Sequence, residues 1–546
     1  MSPTRRSFLS TTSLAALAAC APALRLGRAG TRLLIRNGTV IDGTGAPRVA
    51  ADVLVEDGRI AEVGPSLAAI GAEVYDARGM IVAPGFVDIH SHGDGSLAAD
   101  PMAESVIRQG VTTIVVGQDG SSNGPREQDD PDAKYTSIAQ YLTSLERDVR
   151  PAVNVATMVG LGTVRGAVVG QGNRAATPDE MRRMVALVEQ SLRDGACGAS
   201  TGLEYAPGAF ASTDELIALC KPLAARRLAY ATHMRNEDDT LVEAVDESIA
   251  IARGAGCALQ ISHLKTSGVR NFGKIDAVLG RVDAMKRGGM DIAFDRYPYV
   301  AYSTGLSNMV PVWALDGGNA KFVARLEAPD TAAKVRAESE AKAETVGGWH
   351  NVVVSGVRNA ADNAAEGQRI DDLARAAGVA PYDYAIGLLK RNGGSVGTVV
   401  FAMSEDNLKR FLAHPLGMVC SDGGAFAVSG PARRGHPHPR GLGTFPRILS
   451  RYVRETKTLT LEQAVFKMSG QPAARLGLGA NFGTLRRGAT ANVVVFDPAT
   501  VEDKATFADP FQYPAGIPFV VVNGVVALRD GERAAERSGR ALRTVS

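Results

Sequence analysis

The chain reads as a (β/α)8 TIM barrel, with a small β-sandwich assembled from its two ends and a helical insertion over the barrel mouth. Three observations predict this. Between residues 83 and 479, short apolar strands alternate with amphipathic helices eight times, the pattern of a parallel sheet with crossover helices. Most of these strands end in His, Asp or Tyr, and barrel enzymes build their sites at the C-terminal ends of the strands. Both ends of the chain carry short alternating strands and Gly-rich turns instead.

Length and composition set the class. The 546 residues suit one large catalytic domain plus an accessory domain. An apolar fraction of 45% and a charged fraction of 22% are those of a soluble globular enzyme. A net charge of +2 gives no electrostatic basis for binding nucleic acid or an anionic membrane surface. The five cysteines show no CxxC spacing, and Cys197, Cys220, Cys257 and Cys420 read as small buried hydrophobes.

Residues 1–29 read as a twin-arginine export leader: Thr4-Arg5-Arg6-Ser7-Phe8-Leu9, then an apolar stretch to Ala19 that is too short to span a bilayer. Leu17-Ala18-Ala19-Cys20 is similar to a lipobox, so two fates stay open. The chain is released into the periplasm, or it is anchored to the membrane as a lipoprotein through Cys20.

Residues 30–82 and 480–546 are assigned to the sandwich. Leu33–Ile35, Thr39–Ile41, Asp52–Val55 and Arg59–Val63 read as short strands, with Asn37-Gly38 and Asp57-Gly58 as two-residue hairpin turns. Ala491–Phe496 and Phe519–Leu528 repeat the pattern at the other end. Neither piece buries much alone, so the two are expected to combine.

The barrel is assigned to residues 83–479. Its strands are expected before His90 and at Thr113–Val116, Ala152–Ala156, Ala196–Ser200, Leu228–Thr232, Ala258–Ser262, Met290–Phe294 and Met418–Cys420. Residues 305–350, rich in Ala, Lys and Glu, read as a helical insertion, either a lid or a surface embellishment.

The reactive side chains follow this frame. Strand one ends in His90 and His92, which face one side of an extended chain and suit a divalent metal. Strand two leads to Asp119, five to His233, six to His263, seven to Asp295, Tyr297 and Tyr299, and eight to Asp422. Four of the eight histidines therefore sit at strand ends; His350, His414, His436 and His438 do not.

Taken in order, several motifs identify the chain as similar to the amidohydrolase superfamily, and within it to the N-acyl-D-amino-acid deacylase (D-aminoacylase) family. They are Ala83-Pro84-Gly85-Phe86-Val87-Asp88-Ile89-His90-Ser91-His92, Ser200-Thr201-Gly202-Leu203-Glu204-Tyr205, Thr232-His233-Met234-Arg235-Asn236-Glu237, Gln260-Ile261-Ser262-His263-Leu264-Lys265, Tyr297-Pro298-Tyr299, Ser421-Asp422-Gly423 and His438-Pro439-Arg440. The resemblance implies metal-dependent hydrolysis of a linear amide, an N-acyl-D-amino acid. It implies zinc or another divalent ion, one or two per site. His90, His92 and Asp422 match the ligands of the more buried position, and His233 and His263 those of the other. Lys265, Tyr297, Ser303 and Arg440 match the contacts to the substrate carboxylate, which a basic pair and two hydroxyls would suit. Asp422 is expected to be the catalytic proton carrier.

One departure stands out. The family pattern is Gly-Asn-Cys-Gly after strand two, and this chain has Gly117-Gln118-Asp119-Gly120. A carboxylate thus takes the place of a metal-ligating thiolate, which implies a more even acceptance of zinc, manganese and cobalt. Other readings are a dipeptidase or a cyclic-amide hydrolase of the same superfamily, or a non-catalytic exported binding protein. Cyclic-amide relatives commonly use a carboxylated Lys on strand four, where this chain has Ser200 and Thr201. The expected partner is a small N-acyl amino acid or dipeptide-like substrate; the sequence leaves oligomeric state open.

Overall fold

The computed structural model describes residues 31–126, 134–478 and 481–544. The leader and Cys20 lie outside the described residues. Eight parallel strands form the barrel: Phe86–Asp88, Val111–Val116, Asn154–Thr157, Gly198–Gly202, Ala229–His233, Ala258–Ile261, Ile292–Arg296 and Gly417–Val419. Strand three continues past Met158 as Val159–Gly160 to pair with strand four. Strand eight returns to strand one through a Ser91–Gly423 bridge and the hydrogen bond from Asp422 N to His90 O, 2.8 Å. That closure sets His90 and Asp422 side by side.

The two ends of the chain meet in one nine-stranded sheet. Ile81–Pro84 pairs antiparallel with Val493–Phe496, so the apolar run before Gly85 belongs to the sandwich and the barrel begins at Phe86. Gly85 joins the two, and no side chain fits there, because a Cβ would lie 2.3 Å from the Thr112 side chain. Alternate residues of Val493–Phe496 and Phe519–Val522 face opposite sides. Val493, Val495, Phe519 and Val521 pack into the sandwich core, while Val494, Phe496, Val520 and Val522 pack against the barrel. Burial on both faces explains the unbroken apolar runs. Tyr75 stacks on Phe519 with centroids 3.9 Å apart, although their strands are not neighbours, so the sheet folds onto itself.

Two expectations are corrected here. Asp57-Gly58 is a hairpin turn, but Asn37-Gly38 is a bulge within the single strand Arg32–Val40. The register slips between Ile35 and Gly38, Asn37 has φ of 62°, and its N–H donates to Asp52 Oδ1 at 2.8 Å. The insertion is also larger than 305–350 and is not purely helical. A three-stranded antiparallel sheet of Ala301–Gly305, Gly397–Phe401 and Val352–Gly356 frames it, and Leu306, Phe322, Trp349, Tyr382 and Val400 give it a core of its own.

Candidate active site

A cavity of about 840 Å³ opens at the C-terminal ends of the barrel strands. At its base, Asp119 stands between two pairs of histidines. Asp119 Oδ1 is 3.4 Å from His90 Nε2, and Oδ2 is 3.4 Å from His92 Nε2, 3.5 Å from His263 Nε2 and 3.8 Å from His233 Nδ1. Asp422 Oδ1 completes the first group, 3.5 Å from His90 Nε2 and 3.1 Å from His92 Nε2. The six expected metal ligands thus form two sets, His90–His92–Asp119–Asp422 and Asp119–His233–His263, with Asp119 common to both.

The sequence dictates how Asp119 arrives there. Gly117 and Gly120 take positive φ, as does Asp119 itself at 51°, a conformation that Asp tolerates better than most residues. Ser200 on strand four pins the turn: its hydroxyl donates to Gly117 O at 2.6 Å and accepts from Gly120 N at 3.1 Å. His263 and Asp422 also have positive φ, 37° and 50°. Strain of this kind concentrates at functional sites.

These residues fit a divalent cation. Among the described residues, both ring nitrogens of His90 and Oδ1 of Asp119 are buried without a hydrogen-bond partner. Burial disfavours charge on His92 and His233, yet the surrounding carboxylates outweigh it and push them up to about 9 and about 10. The same carboxylate field attracts a metal ion. His92, with a side chain 39% exposed, is the most accessible of the four histidines, whereas that of His90 is fully buried and those of His233 and His263 are 6% and 2% exposed. His92 lies two residues past His90, further toward the mouth.

Beside the metal groups lie the expected substrate contacts. Tyr297 is fully buried, and its hydroxyl has no hydrogen-bond partner among the described residues. The Arg440 guanidinium sits 4.8 Å from the Tyr297 ring and donates to the Ser303 carbonyl at 3.3 Å. Ser303 lines the cavity. Arg440 and Lys265 are both engaged by carboxylates, Arg440 by Asp422 at 2.7 Å and Lys265 by Glu237 at 2.5 Å.

Four further residues complete the site. Asp295 Oδ1 lies 3.5 Å from His90 Nδ1 and accepts from His263 N at 2.7 Å. Glu204 and Glu237 approach the outer nitrogen of His233 at 3.5 and 3.9 Å. His438 Nδ1 accepts from Arg440 N at 2.9 Å, and burial holds this histidine well below its ordinary value, hence neutral. Glu204, Glu237 and His438 stand in the motifs quoted above, but no local spacing signals their roles. Asp295 was legible as a strand-end carboxylate.

A barrel that gathers four histidines and two aspartates around one cavity has the architecture of a metal-dependent hydrolase. Comparison with known proteins narrows the class. Residues 73–305 match the model of the amidohydrolase family. The chain is 36% identical to a D-aminoacylase of Alcaligenes xylosoxydans xylosoxydans, over 93% of this chain and 97% of that one. It is 37% identical to an N-acyl-D-aspartate deacylase of the same organism, over 93% and 94%. An N-acyl-D-glutamate deacylase from Bordetella bronchiseptica, solved with zinc and a phosphonate mimic of the tetrahedral intermediate, superposes with a TM-score of 0.79. Its identity is 35%, over 94% of this chain and 99% of that one. The chain belongs to the N-acyl-D-amino-acid deacylase (D-aminoacylase) family of the amidohydrolases and is a metal-dependent amidohydrolase.

Proposed function

We propose that the enzyme converts N-acyl-D-amino acids to D-amino acids and carboxylates, with zinc as its ion. One observation carries this reading. The shared Asp119 carboxylate and three of its four histidines, His92, His233 and His263, open into the same cavity as Arg440, Tyr297 and Lys265, with His90 buried behind them. A cluster suited to a divalent metal beside groups suited to a free carboxylate supports this reading. The named activities of the relatives support the D-configuration.

His233, His263 and Asp119 would hold one ion, and His90, His92, Asp119 and Asp422 a second. A divalent ion held there would supply a lowered pKa for a water nucleophile and a polarised amide carbonyl. Asp422 would take the proton from the attacking water and deliver it to the leaving nitrogen. Tyr297, Ser303, Lys265 and Arg440 hold the substrate carboxylate and so fix the scissile bond in place. The insertion acts as a lid, a reading supported by the Ser303, Asn308 and Lys342 side of the cavity. Ser200 on strand four is committed to the Asp119 turn, which argues against the cyclic-amide reading.

The deciding experiment is amine release from N-acetyl-D- and N-acetyl-L-amino acids and from dipeptides, using metal-loaded protein. Turnover confined to L-substrates or dipeptides overturns the proposal. Export rests on the Arg5-Arg6 motif. It is tested by fractionating cells that express the full chain, with Cys20→Ala separating an anchored from a released product.

A further inference from the structure

His233 and His263 each turn one ring nitrogen toward Asp119 and the other away. The inward pair, His233 Nδ1 and His263 Nε2, lie 3.0 Å apart. The outward nitrogen of His263, Nδ1, faces two groups: Lys265 Nζ at 2.8 Å and Glu237 Oε1 at 3.1 Å. The outward nitrogen of His233, Nε2, faces Glu204 Oε2 at 3.5 Å and Glu237 Oε2 at 3.9 Å. Asn308, from the insertion, donates to Glu204 Oε2 at 2.8 Å.

A neutral imidazole carries one N–H. A nitrogen that ligates a metal must present its lone pair, so the proton belongs on the outward nitrogen. For His263, Lys265 works against this. An ammonium is a donor only, and facing Nδ1 it favours the tautomer with the proton on Nε2, where the metal belongs. Glu237 reverses that preference. Its Oε1 accepts from Lys265 and stands within reach of a proton on Nδ1. His263, Lys265 and Glu237 are each less than a tenth exposed, so a charged acceptor on Nδ1 counts for more here than it would in water.

We infer that Glu237 is a positioning residue that accepts the Nδ1 proton of His263 and so locks it in its metal-ligating tautomer whether or not Lys265 is present, with Glu204 serving the outward nitrogen of His233. This rests on the reading of His233, His263 and Asp119 as metal ligands. Glu237 thereby links the substrate side of the cavity to the metal side, because the same oxygen holds Lys265.

The test is zinc affinity, measured by chelator competition on the full chain, with circular dichroism of the metal-free protein as the fold control. Glu237→Gln should weaken zinc binding by about 10- to 100-fold. Lys265→Met, which leaves Glu237 in place, should keep affinity near wild type. The double variant Lys265→Met/Glu237→Met leaves no unpaired buried charge and so keeps the inference testable if Glu237→Gln misfolds. It should still lose at least about tenfold. If Glu237 only neutralises Lys265, the double variant regains wild-type affinity, and that result overturns the inference. Wild-type protein that binds no zinc overturns the metal reading and the inference with it.

Discussion

Arg440 Nη1 stands 2.7 Å from Asp422 Oδ2, with both side chains almost fully buried. Burial pushes the Asp422 carboxyl up, but Arg440, and after it His263 and His90, drive it well below the usual carboxylate range. On the proposed mechanism, the group that would move the proton is therefore held ionised by the group that would receive the substrate carboxylate. A guanidinium has five N–H donors, so Arg440 can serve both at once. An incoming carboxylate that draws on the same guanidinium weakens its hold on Asp422 and makes Asp422 the better base.

Arg440→Met accordingly carries two expectations. Loss of a charge-assisted hydrogen bond of about 1.5–3 kcal/mol should raise KM for carboxylate substrates roughly 10- to 100-fold. Loss of the positive charge should raise the Asp422 pKa, so the acid limb of the kcat/KM profile moves to higher pH. A raised KM with an unmoved acid limb would confine Arg440 to substrate binding.

Asp422→Asn separates proton transfer from architecture. The closure of strand eight on strand one runs through the Asp422 backbone N–H, which the substitution keeps. His233, His263 and Asp119 still offer a complete ligand set. Turnover should fall about 10²- to 10⁴-fold, while metal analysis still finds at least one ion per chain. Near-normal kcat in the Asp422→Asn variant removes Asp422 from the proton path.

Removing the metal with a chelator should abolish turnover, and zinc, manganese and cobalt should each restore it. The donors are imidazole nitrogens and carboxylate oxygens, with no thiolate to favour the softer ion. Asp119→Cys should shift the preference toward zinc, read as the ratio of activities after zinc and manganese reconstitution. An unchanged ratio would show that position 119 does not touch the ions.

The convergence of the candidate metal ligands was legible because two simple regularities overlap in them. Strands end where an apolar run ends, and a barrel collects those ends at one rim, so His90, Asp119, His233, His263 and Asp422 converge without further information. Glu204 and Glu237 were not legible as site residues. Each stands on the outward side of His233 or His263, and a contact with the far side of an imidazole leaves no periodic mark in the chain. Asn37-Gly38 misled because the dipeptide that suits a hairpin also suits a bulge, and only the shared partner strand Val49–Glu56 decides between them. The insertion was underestimated for a similar reason. Ala301–Gly305 finds its partner at Gly397–Phe401, and a pairing at that separation has no local signature.

Outside the site, the helix Pro178–Arg193 offers a pH-dependent test of stability. Thr177 and Glu180 form a capping box: the Thr177 hydroxyl accepts from Glu180 N at 3.3 Å, and Glu180 Oε2 accepts from Thr177 N at 2.8 Å. Arg174 grips both carboxylate oxygens at 2.6 and 2.8 Å. The hydrogen bonds from Arg174 first, then that from the Thr177 backbone, lower the Glu180 carboxyl from 4.5 to about 2. Because the folded value lies below the unfolded one, the unfolded chain binds more protons between these limits, and stability rises with pH across that window. The contribution is fully present above about 4.5 and is lost as pH falls through about 2. Glu180→Gln should therefore show a stability deficit by denaturant unfolding that is constant from pH 7 to about pH 5 and shrinks steadily below it. A deficit independent of pH would place the loss in the geometry of the cap rather than in the charge.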